Sequence, residues 1–115
     1  MRLTEPSQED AERLLERLAD RLRVVGPRLA AREGAAAHQL LSEIRAGLQR
    51  LADLAAETDG EPRRAVPELA AHALGDQALV LGHELLGEPG QEPGPRAATV
   101  RAATVQILQD INRLI

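Results

Sequence analysis

The chain has 115 residues, 14 basic against 18 acidic, a formal net charge of −4, and no Cys, Phe, Tyr or Trp. Without cysteine there is neither a disulfide framework nor thiolate chemistry, and without cationic excess or aromatic rings neither phosphate neutralisation nor base stacking is available, so no nucleic-acid partner is expected. No apolar run approaches the roughly 20 residues of a membrane span, and the start, MRLTEPSQEDAERLL, is charged where a signal peptide is apolar; a cytoplasmic setting away from the membrane is the expectation.

One domain over residues 1–115 suits this length. Such a chain buries roughly two-thirds of its unfolded surface, here with Leu, Ile, Val and Ala. The first helix is expected over about 7–33. Ser7-Gln8-Glu9-Asp10 is a capping-box pattern, with Ser7 accepting from early backbone N–H groups and Asp10 reaching back. Ala11, Leu15, Leu18, Leu22, Val25 and Leu29 follow as one apolar stripe. Gly26-Pro27 interrupts the helix without breaking the phase of the stripe, which predicts a kink there rather than a stop. Gly34 suits the helix's C-terminal cap.

The second helix is expected over about 35–58, with Ala37, Leu41, Ile44, Leu48, Leu51 and Ala55 inward and Leu40 widening the stripe. Asp59-Gly60-Glu61-Pro62 reads as a turn. The third helix is expected over about 66–87, with Pro67 in its first turn. GEPGQEPGP, residues 87–95, reads as a loop. A fourth helix over about 96–114 carries Ala97, Val100, Thr104, Ile107, Ile111 and Leu114. It contains the tandem repeat RAATVRAATV, but a step of five turns a helix by about 140°, so the repeat is not a structural period. Four amphipathic helices predict an all-α, antiparallel up-down-up-down four-helix bundle.

Chemistry concentrates in AAHALGDQALVLGHELLG, residues 70–87. His72 and His83 share a helical face but stand about 16 Å apart along the axis. One metal needs its nitrogens about 2 Å away; no metal site and no cofactor are expected. The segment HALGDQALVLG resembles the histidine phosphotransfer domain, a four-helix bundle with a phosphorylatable His followed by x-Leu-Lys-Gly. The resemblance implies His72 as phosphoacceptor; Gly75-Asp76 stands where Lys-Gly belongs, placing a repelling carboxylate where that family has a balancing lysine. His38, in AAAHQLLSEIR, loosely resembles the dimerisation helix of histidine kinases, without the acidic neighbour and proline usual there.

The glycines point to packing. Ala71, Gly75, Ala78 and Gly82 make a small-residue stripe, and interior glycine costs up to about 1 kcal/mol against alanine, a cost better explained if another backbone comes close. Leu79 and Leu86 lie on one side of this seam and Val80 and Leu69 on the other, so the helix is apolar nearly all round and has surface for a partner. The expected function is a non-enzymatic binding or oligomerisation module, an adaptor or regulatory protein, most simply a C2 homodimer through Ala71, Gly75, Ala78, Leu79, Gly82 and Leu86. Arg13, Arg17, Arg21, Arg28 and Arg32 form a stripe on the first helix suited to steering a partner's orientation. The alternatives are phosphotransfer through His72 and a small apolar ligand held in an alanine-rich core.

Overall fold

A computed structural model describes residues 6–87 and 96–115. The start at 1–5 and the expected loop, but for Gly87, lie outside the described residues. Four helices form, α1 (Gln8–Ala31), α2 (Ala35–Asp59), α3 (Leu74–Leu86, led in by a 3-10 turn at Ala71–Ala73) and α4 (Ala97–Leu114). Every pair of helices is in contact, and one apolar cluster draws Leu15, Leu18 and Leu22, Ile44, Leu48 and Leu51, Leu74 and Ala78, and Leu108 and Ile111 into the centre.

Local chemistry explains most boundaries. Ser7 is extended and its Oγ accepts from the Asp10 N–H at 3.0 Å, satisfying one of the orphan donors of a helix start. α1 runs on through Gly26-Pro27 but ends at Ala31, short of Glu33, where Arg32 turns extended. Gly34 therefore does not cap α1. It stands at φ 115° as the residue before α2. Gly60 closes α2 in the left-handed conformation, with Glu61 N–H donating to Ala56 O at 2.8 Å. The expected stripes face inward: Val25 and Leu41 are half-buried and the other stripe positions of α1 and α2 are buried. In α4, Leu108 and Val105 are buried beside the expected stripe, and buried Thr104 satisfies its hydroxyl on Val100 O at 2.7 Å.

The bundle is all-helical as expected, but its helices do not run up-down-up-down. Along α1, successive positions 8, 15, 19, 23 and 26 meet α3 and its lead-in at 86, 82, 75, 76 and 71. α1 and α3 are thus antiparallel. Pro6, just before α1, meets Arg101 near the start of α4, and Arg21 meets Asn112 near its end, so α1 and α4 run the same way. α2 returns from α1 after three residues. The order is up-down-down-up, and the link from α2 to α3 must climb back along the bundle.

This corrects the third helix, which does not begin at 66. The climb from Gly60 to Ala71 covers on the order of 30 Å by the rise of the helices it passes. Eleven residues of helix span only about 16 Å, whereas the same length of extended chain reaches about 36 Å. Residues 61–70 accordingly carry no helix, and Pro67, read as a helix start, sits in an extended strap. Polar ties fasten the ends of the bundle: Arg21 donates to Asn112 Oδ1 and to Ile115 O, and Arg101 Nε to Pro6 O at 2.7 Å.

Candidate binding cleft

α3 has two working faces. The first is the small-residue seam, and α1 of the same chain fills it. A Cβ at Gly75 would lie 2.5 Å from the Ala19 carbonyl oxygen, and one at Gly82 would lie 2.5 Å from the Leu15 methyls. A Cβ at Gly26 would run into the Ala71 carbonyl, so α1 contributes a glycine of its own. Gly75, Ala78 and Gly82 are buried, and Ala71, Leu79 and Leu86 are half-buried against the core. The close helix approach that the glycines imply is intramolecular, and the seam offers no open surface in this fold. At its edge the stem of Arg23 lies over Gly75 while its guanidinium meets Asp76 at 3.0 Å. The hydrogen bond with Asp76 is the main cause that raises Arg23 above its usual value.

The histidines are dispersed. His72, in the 3-10 turn, His83 near the end of α3, and His38 on α2 are all exposed. Among the described residues no group of His, Asp and Glu is placed to hold a metal ion. The arginine stripe of α1 is divided in its roles. Arg13 faces Glu9 at 3.7 Å, and Arg21 clamps the end of α4. Arg17, Arg28 and Arg32 are exposed and make no ion pair among the described residues.

The second face of α3 looks across a cleft to α2, and the strap lies in that cleft. Here the fold leaves a groove of about 720 Å³, walled by Ala52, Ala55 and Ala56 of α2, Val66 and Leu69 of the strap, and Val80 and Leu81 of α3. Leu69 is 46% and Val80 67% exposed. Val80 lies on α3 and Leu69 on the strap, so the apolar surplus expected of residues 66–87 emerges on this side. A second hollow of about 360 Å³ lies on the other side of the strap and shares Val66, Pro67 and Gln77 with the first. The strap divides one cleft in two.

Three helix side chains hold the strap by its backbone. Gln49 of α2 donates from Nε2 to Arg64 O and accepts at Oε1 from Val66 N–H, both at 2.8 Å. Arg45 donates to Leu69 O at 2.9 Å. Gln77 of α3 donates to Pro67 O at 2.8 Å. Strap side chains contribute little, since Val66 alone is half-buried and the rest of residues 61–70 are exposed. Gln49 and Gln77 were not singled out in the sequence; a lone glutamine on a helix has no periodic signature. Two prolines five residues apart, Pro62 and Pro67, were the available sign of a non-helical stretch.

Asp110 bridges α4 to α2 through Arg50 at 3.1 Å, and its carboxyl is held below its ordinary value, chiefly by the hydrogen bond from Gln106 and then by Arg50. No helix among the described residues is long and apolar enough to cross a membrane. Comparison with known protein families, curated proteins and solved structures finds no match.

Proposed function

We propose that the protein is a non-enzymatic binding module, an adaptor or regulatory partner, and that its working surface is the α2–strap–α3 face rather than the glycine seam. The observation that carries this reading is the groove of about 720 Å³ with apolar walls and two exposed aliphatic side chains, Leu69 and Val80, at its mouth. Grooves of this kind receive an apolar segment of a partner, and exposed apolar clusters mark interaction surfaces. Self-association is the simplest form, two copies meeting isologously across this face. The reading needs no cofactor, nucleic acid or membrane, and a chain free of cysteine is compatible with a cytoplasmic setting.

Light scattering coupled to size exclusion tests it. A concentration-dependent dimer is expected, reverting to monomer in Val80→Glu with helical circular dichroism unchanged. A wild-type chain that stays monomeric at millimolar concentration defeats self-association.

One observation favours phosphotransfer through His72 as a second reading. Asp76, which would repel a phosphoryl group, is engaged by Arg23 at 3.0 Å, and His72 is exposed. Acid-labile phosphate that forms with a phosphodonor and is lost in His72→Gln would support it; phosphate retained in that variant would end it.

A further inference from the structure

We infer that the cleft between α2 and α3 is a site for an extended peptide of a partner protein, held by two glutamine pincers and occupied in this fold by the chain's own strap. The inference rests on the reading of this face as a binding surface and names the element it takes up.

In extended chain the C=O of one residue and the N–H two residues on point to the same side. A carboxamide, with one donor and one acceptor, can grip both. Gln49 does so at positions 64 and 66. Gln77 stands on the opposite wall and meets position 67, an odd number of residues on, where the backbone groups point the other way. Its grip is half-made. Nε2 donates to Pro67 O, but the matching N–H, that of Leu69, bends back to the same Pro67 O at 3.0 Å. Gln77 Oε1 is left buried with no hydrogen-bond partner, the one such side-chain atom among the described residues. A buried unpaired acceptor is costly and calls for a donor.

The strap cannot supply that donor because of where it must go next. Two residues past Leu69 it enters the 3-10 turn at Ala71–Ala73, so its last residues curl instead of running on. A free peptide has no such obligation. Extended through the position of Leu69, it offers its N–H to Gln77 Oε1 and completes the second pincer. Its N–H groups must be free at the positions of Val66 and Leu69, which bars proline there. Between them its side chains meet the alanine wall and Val80. Glu84 of α3, at the groove, makes no ion pair among the described residues. It favours basic side chains such as the strap itself carries at Arg63 and Arg64. The cis strap competes at an effective concentration in the millimolar range, so the site opens fully only when the strap is displaced.

The probe is a fluorescent nonapeptide with the sequence of residues 61–69, titrated against the full chain and against a chain whose residues 63–69 are replaced by a Gly/Ser linker of equal length. Binding to the replaced chain is expected to be roughly tenfold tighter than to wild type. Gln77→Leu, or N-methylation of the peptide's last amide, is expected to remove most of that gain. A replaced chain that keeps its helical circular dichroism yet binds no peptide overturns the inference, and so does binding indifferent to N-methylation. If the replaced chain does not fold, the wild-type chain decides: the Gln77 side-chain amide resonances are expected to shift on adding about 2 mM peptide, and unmoved resonances overturn the inference. Dimerisation that persists without peptide binding leaves the binding-surface reading intact and removes only this one. Peptide binding by a strictly monomeric chain removes self-association alone.

Discussion

The two faces of α3 are held by opposite means. Against α1 it is held by shape, with glycines under a carbonyl and under leucine methyls and no room for a methyl group. Towards α2 it is separated by a strap fastened through four hydrogen bonds from side chain to backbone, with little buried apolar surface beneath. The first kind of contact is dense and fails only by moving a helix. The second is the low-stability kind that opens locally. One helix thus joins a tightly packed seam on one side to a hydrogen-bonded strap on the other.

The largest effect should come from shortening the strap. Deleting residues 61–65 leaves six links between Gly60 and Ala71, a reach of about 21 Å against a climb on the order of 30 Å. Loss of the monomeric fold, by circular dichroism and light scattering, is expected, whereas inserting four glycines should cost about 0.3 kcal/mol. A native monomer after the deletion would break the up-down-down-up order.

Next is the seam. Gly75→Leu drives a side chain into the Ala19 carbonyl and should destabilise by about 3 kcal/mol. Urea denaturation unchanged from wild type would mean that α1 does not seal this face.

A smaller change sharpens the contrast. Gln49→Ala removes two strap hydrogen bonds and should cost about 1 kcal/mol overall. Trypsin cleavage after Arg63 and Arg64 should accelerate severalfold at the same time, while hydrogen exchange at Gly82 stays slow. Cleavage no faster than wild type would show the strap is not held this way.

The smallest effect lies away from both faces, at Asp110. Its carboxyl is depressed in the fold, so the stability it contributes is present above its unfolded value of 3.8 and is lost as pH falls through the lower folded value. Asp110→Asn should melt slightly below wild type at pH 7, with the two converging in acid. A gap that widens as pH falls contradicts the assignment.

Much of the fold was legible because periodicity reports faces. Leu15, Leu18, Leu22, Ile44, Leu48 and Leu51 sit in the core as their spacing requires, and Ser7 caps α1 as its neighbours suggest. Gly75 and Gly82 were recognisable as points of close approach, because interior glycine is otherwise unfavourable. Gly47, buried against Ile111, sends the same signal and was passed over within a strong stripe. The cleft was hidden. Gln49 and Gln77 lie 28 positions apart, and only the strap's path brings them to one backbone. Pro67 misled, since proline suits a first helical turn and an extended strand equally well.

The amino-acid order alone therefore determined four amphipathic segments, their inward faces, the Ser7 cap of α1 and the small-residue seam on the third, because each rests on neighbours within a few turns. Tertiary structure decided the direction of α3 and α4, the helix that fills the seam, and the state of residues 61–70. An apolar stripe states that a face must be buried and is indifferent to which helix buries it or which way that helix runs. Once α3 lay antiparallel to α1, the link had to cover the length of the bundle, and only extended chain was long enough to do so.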